Sequence, residues 1–192
     1  MQYAEQKRMI RPEDKIALKV RVISKIDSKS NEFIMILSEK SGVRQLPMPL
    51  TKREAEDVLA VIDTEETNHA TWTQTIKSLT AALDVIVEEV IINEVALGNY
   101  LAEVHLLQNG VSRTFQIQAI QALILALSQR SSIYIVRSLM EKQYVRPKGN
   151  GLISVPLNTL TIEMLQEALD KAIKDEDYEL ASHLRDEIKR RI

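Results

Sequence analysis

Apolar and charged side chains alternate from residue 15 to 26, where Ile16, Leu18, Val20 and Val22 fall among Lys15, Lys19 and Arg21. That period of two predicts a strand with one buried face. Residues 32–37 and 43–46 continue the pattern. The polar cluster at 28–31 and Ser41-Gly42 supply turns, so the first third reads as an antiparallel meander. Past Pro47 and Pro49, Thr51-Lys52-Arg53-Glu54 has the spacing of a capping box, in which each end side chain accepts a hydrogen bond from the other's backbone N–H. The helix it opens places Ala55, Val58, Leu59 and Ile62 on one stripe.

Residues 63–70 form a polar connection and 71–83 a second, less regular helix. Two strands, 85–95 and 100–107, pair about Leu97-Gly98-Asn99, and Asn109-Gly110 turns the chain into a third strand at 112–117. From 118 to 129 the pattern is apolar almost all round, through Ala119, Ile120, Ala122, Leu123, Ile124, Leu125, Ala126 and Leu127. A helix without a polar face is buried on every side, by its own domain or by another subunit. We therefore expect a homo-oligomer, most simply a dimer. A short strand at 133–136 and a few helical residues follow, and Arg146-Pro147-Lys148-Gly149-Asn150-Gly151 breaks regular structure.

The last thirty residues change period again. Thr161 is a good N-cap, Glu163 sits in the first turn, and Leu165, Leu169, Ala172 and Ile173 form one stripe. Asp175-Glu176-Asp177 interrupts it as a solvated turn. Tyr178, Ala181, Leu184 and Ile188 then recur at spacings of three and four before Lys189-Arg190-Arg191. This is a helical hairpin with one apolar face per helix. Helices this short are marginal alone in water, so the faces need cover.

The chain has 192 residues, 45% of them hydrophobic, enough for one core plus an appendage. The expected fold is α+β: an antiparallel or mixed sheet with packed helices at 1–145, a linker at 146–160, and a C-terminal α-helical hairpin at 161–192. A formal net charge of −2 gives no global reason to bind nucleic acid. A local patch could come only from a set such as Arg44, Lys52, Arg53, Arg113 and Arg130, for which dispersed solvated charge is the plainer reading. Cysteine is absent, which excludes disulfides and thiolate metal sites. Residues 1–15 are too charged for a signal peptide, and the longest apolar run, 122–127, is far short of the ~20 residues that span a bilayer. A cytoplasmic location without membrane contact is expected.

The segment Glu176-Asp177-Tyr178-Glu179, then Ala181, Leu184-Arg185-Asp186 and Ile188, resembles the UVR motif, a helical hairpin shared by the B and C proteins of bacterial excision repair. The resemblance implies protein–protein contact, with a UVR-containing or other partner, through Leu165, Leu169, Ile173, Tyr178, Ala181, Leu184 and Ile188. The larger part is similar to the bifunctional nuclease domain. The likeness is carried by the order of Arg44-Gln45-Leu46-Pro47, Arg53-Glu54-Ala55, the apolar hairpin, Ala122-Leu123-Ile124-Leu125-Ala126-Leu127 and Ile133-Tyr134-Ile135-Val136. It implies hydrolysis of DNA and RNA, with Mg²⁺ or Mn²⁺ as cofactor if that activity is retained.

The polar positions depart from that family. Its acidic-x-Arg-x-Ser-Asp-Ala stretch corresponds to Gln116-Ile117-Gln118-Ala119-Ile120-Gln121-Ala122, so Gln118, Ile120 and Gln121 replace Arg, Ser and Asp. Its Thr-His-Asp is absent from Thr71-Trp72-Thr73-Gln74. A glutamine cannot supply the charge that a carboxylate brings to a hard cation. Glu54 and Glu56 remain as weak catalytic candidates, with Asp57 and Glu103 behind them, and Glu54 already has a structural reason in its capping box. His69, His105 and His183 lie on different elements without ligand spacing, so no metal site is read from the sequence. Two functions stand: a nuclease, as the resemblance implies, or a non-catalytic oligomeric adaptor that recruits a partner through the hairpin.

Overall fold

The computed structural model describes residues 10–26, 32–62, 72–146 and 156–192. The turn expected at 28–31, the connection at 63–70 with His69, Thr71 and the stretch 147–155 lie outside them, as do the side chains of Trp72 and Thr73. Seven strands, β1 (Lys15–Lys25), β2 (Phe33–Glu39), β3 (Gln45–Leu50), β4 (Val85–Ala96), β5 (Asn99–Gln108), β6 (Val111–Gln118) and β7 (Ser132–Val136), make one sheet in the order β3-β2-β1-β7-β4-β5-β6. The β4–β7 pairing is parallel and the other pairings antiparallel. The helices are α1 (Lys52–Ile62), α2 (Trp72–Ala82), α3 (Ala119–Gln129) and α4 (Arg137–Gln143), followed by the hairpin α5 (Ile162–Lys174) and α6 (Tyr178–Arg191). The fold is α+β with a mixed sheet and a C-terminal helical pair, the class expected from the sequence.

Strand β3 runs through both prolines, where the pattern predicts an end. It lies at the sheet edge, so its backbone N–H groups point alternately at β2 and away from it. Gln45 points outward, exchanging hydrogen bonds with Val145, and Pro47 and Pro49 share its parity. Proline therefore removes donors only from the outer edge, where a ladder does not need them and where their loss blocks further pairing.

The core lies between one sheet face and the helices. Met35, Leu37, Val90, Ile92, Ala102 and Val104 share one cluster with α3, whose Ala119, Ile120, Ala122, Leu123, Ile124 and Ala126 are all buried. The cover that the apolar helix requires is thus found inside the chain, and only Gln121 among its first residues is exposed. On α1 the stripe is half used: Ala55 and Val58 are buried, whereas Leu59 and Ile62 are exposed. Tight turns have left-handed residues where the sequence places them, at Leu97-Gly98 and Asn109-Gly110.

The hairpin has a second, smaller core of Leu165, Ala172, Ala181, Leu184 and Ile188. Both helix starts are capped, by Thr161 accepting from the Met164 N–H at 3.2 Å and by Asp177 accepting from the Leu180 N–H at 3.1 Å. Arg191, in the last turn of α6, turns back on its own hairpin. Its guanidinium is buried, binds Glu187 at 2.6 Å, and donates to the carbonyls of Leu157 and Leu160, closing the end of α6 on the turn that precedes α5. Among the described residues no helix is long and apolar enough to cross a membrane.

Candidate functional site

The hairpin and the larger body meet over a cleft of about 230 Å³. Its floor and near wall come from Met48, Leu50, Thr51, Glu54, Gln118 and Ile120, and its far wall from Thr159, Thr161 and Met164. The local reasons are plain. The end of edge strand β3 delivers Thr51 and Glu54 at the first turn of α1, and the end of β6 delivers Gln118 and Ile120 at the first turn of α3. Three sequence candidates, Glu54, Gln118 and Ile120, are therefore brought together. Glu56 and Gln121 are not: Glu56 is exposed and pairs with Lys52 at 3.7 Å, and Gln121 is exposed and absent from the cleft lining.

Glu54 completes the capping box. Its Oε2 accepts from the Thr51 N–H at 2.8 Å and the Thr51 hydroxyl at 2.7 Å, and Thr51 Oγ1 accepts from the Glu54 N–H at 3.3 Å. Among the described residues the cleft's other carboxylate is Glu32, for which no motif or spacing points to a role. Partial burial, and then the negative charges of Glu167 and Glu163 on α5, raise its pKa. Tyr100 also lines the cleft. Its hydroxyl is buried without a hydrogen bond of good geometry; burial pushes its pKa well up, and a weak interaction with the Thr159 hydroxyl only partly offsets that.

A second polar group occupies the opposite sheet face. Strand pairing sets Glu89 across from His105, and alternation puts Glu103 on the same side. His105 lies 3.3 Å from a carboxylate oxygen of each, Lys15 reaches Glu89 at 2.5 Å across the Tyr134 ring, and Asn93 donates to Glu103 at 3.0 Å. The Glu103-x-His105 spacing in a strand was the available signal for this array.

A hydrated Mg²⁺ or Mn²⁺ needs charge-neutralising oxygen ligands. The cleft offers Glu32 and a Glu54 already held by Thr51, and among the described residues no three His, Asp or Glu side chains are placed to hold an ion. The donor set does not fit a catalytic divalent cation. Nor does the basic set converge. Arg44 stands beside β3 and Arg113 on β6, at opposite edges of the sheet, and Arg44 is spent on Glu39 in a two-point pair at 2.6 and 3.1 Å. His183 is exposed on α6. Of the seven hairpin residues expected to bind a partner, Leu165, Ala181, Leu184 and Ile188 are inside the hairpin's own core and Leu169 packs on it. Ile173 and Tyr178 are exposed, beside an exposed Leu180.

No curated protein matches this chain. The family model for the UvrB/uvrC motif matches residues 160–190, which hold all of α5 and all but the last residue of α6. The model for the bifunctional nuclease domain matches residues 35–148, from β2 to just beyond α4 and more than half of the chain. This protein belongs to the bifunctional nuclease domain family, with a C-terminal UVR motif.

Proposed function

We propose that the protein acts as an adaptor, recruiting another protein through its UVR hairpin without turning over phosphodiesters. One observation carries the reading: the cleft at the family's polar motif is lined by Gln118 and Ile120, and among the described residues no lysine, arginine or histidine lines it. A phosphodiester in such a cleft would meet the carboxylates of Glu32 and Glu54 with no positive charge to stabilise the developing oxyanion. The partner surface in this reading is the exposed set Ile173, Tyr178 and Leu180, and the partner is a UVR-containing or other protein. The adaptor is a homo-oligomer in the cytoplasm. Support for self-association comes from the edge strand β6, whose exposed Val111 and Phe115 lie on the sheet face that carries α2 with its exposed Leu79 and, just past its end, exposed Leu83. Light scattering at micromolar concentration is expected to give at least a dimer.

The competing reading is hydrolysis of DNA and RNA, favoured by family membership and by the placement of Glu32 and Glu54 in one cleft. The deciding assay is cleavage of single-stranded DNA and RNA with Mg²⁺ or Mn²⁺, run beside Glu54→Gln to expose contaminating enzymes. No cleavage above background is expected. Robust cleavage that Glu54→Gln abolishes would overturn the adaptor reading and make Glu54 catalytic.

A further inference from the structure

We infer that the C-terminal hairpin is a detachable cover over the cleft, seated on the turn at Gly98 and able to lift as a unit. Its five-residue core is separate from the core of the body, and Arg191 ties it to its own leading turn, so lifting leaves both cores closed. The seat is narrow. A Cβ at Gly98 would fall 2.8 Å from the Leu160 carbonyl oxygen and closer still to the Arg191 guanidinium, so only glycine lets the β4–β5 turn approach the hairpin this closely.

The seam is also poorly satisfied. The Tyr100 hydroxyl is buried against Thr159 without a hydrogen bond of good geometry, a deficit that water removes when the cover lifts. Across the same seam Glu32 faces the like charges of Glu163 and Glu167. Lifting withdraws the wall formed by Thr159, Thr161 and Met164 and opens the cleft down to Gln118 and Ile120. The consequence, control of access, rests on the cleft being the functional site. The docking itself is tested without any activity, so the two can fail separately.

The cysteine-free sequence makes the test clean, because Met164→Cys places a single thiol on the cover's cleft wall. Its rate of reaction with a neutral maleimide is measured in the full chain, with two turn variants as the comparison. Gly98→Asn and Gly110→Asn both place a side chain at positive φ, +83° and +76°, but at Gly110 a new Cβ meets nothing within 4 Å. Both carry the same kind of turn strain, and only Gly98→Asn unseats the hairpin. Gly98→Asn is expected to label at least about tenfold faster than Gly110→Asn, with the body's thermal transition the same in both. Tyr100→Phe removes the poorly satisfied hydroxyl and is expected to slow labelling below the parent rate. Equal rates in the two Asn variants, or labelling accelerated by Tyr100→Phe, would overturn the inference.

Discussion

Replacing Leu184 by alanine should melt the hairpin and leave the body folded. Leu184 is 1% exposed and stands with Leu165 and Ile188 as the three large side chains of the hairpin's buried core, the other two members being alanines. Truncation leaves a cavity that two helices cannot collapse around, and Leu→Ala at such a site costs about 2–5 kcal/mol. Helices of 13 and 14 residues have little stability of their own to absorb that loss. Because α1, α2 and α3 contribute 11 residues each and α4 only 7, melting α5 and α6 removes roughly two-fifths of the helical ellipticity. Tyr178→Ala is the counterpart. Its side chain is 69% exposed, so stability should change by no more than about 0.5 kcal/mol, yet it removes the largest apolar group on the surface proposed for the partner. Far-ultraviolet circular dichroism with a pull-down on each variant separates the effects. Leu184→Ala with undiminished helicity, or Tyr178→Ala that melts the hairpin, would refute the reasoning.

Thr51→Ala removes the N-cap of α1 and is expected to cost about 1 kcal/mol in urea unfolding, whereas Glu54→Gln, which can still reach back to the Thr51 N–H, should cost less than half of that. Hydrogen bonds from Arg44 and Ser41 hold the Glu39 carboxyl at about 2, below its ordinary 4.5. A lowered carboxyl stabilises above its unfolded value and loses that contribution as pH falls from 4.5 towards 2; discounted for solvent screening it is about 1 kcal/mol, and Glu39→Gln should flatten acid unfolding in that window. Glu32 shifts the other way. Its raised carboxyl favours the docked seam below pH 4.5 and weakens it as pH rises, so Glu32→Gln should slow Met164→Cys labelling at pH 7 and lose that effect in acid. Deleting 161–192 should leave a cooperative body transition in scanning calorimetry, since the two cores are separate.

The elements of this fold were legible because each has a local cause. Alternation set β1 and β2, the Asn109-Gly110 turn fixed the start of β6, and Thr51 with Glu54 announced α1 through side chains only three residues apart. The misread element was β3, because proline counts against a strand unless the chain's edge position is known, and edge position depends on partners elsewhere in the sequence. Exposed Leu59 and Ile62 on α1 show the same limit. A stripe says which residues can be buried; the size of the partner face decides how many are.

The site was legible only in part, for a related reason. Glu54, Gln118 and Ile120 could be named from capping chemistry and from family resemblance, and the fold sets them in one cleft. Glu32, Tyr100 and Thr159 could not be named, because none has a neighbour in sequence that explains it. Glu32 acquires its raised carboxyl from α5, and Tyr100 its poorly satisfied hydroxyl from the turn before α5, both more than fifty residues away. The family's polar motif concerns what a site contains, and the like charges around Glu32 and the poorly satisfied Tyr100 hydroxyl belong to a different requirement, the seating of a hairpin beside that site. The substitutions at Gln118 and Ile120 bear on catalysis, whereas Gly98, Tyr100 and Glu32 bear on whether the cleft is open. Variants of the first set should leave maleimide labelling of the cover unchanged, and variants of the second should move it.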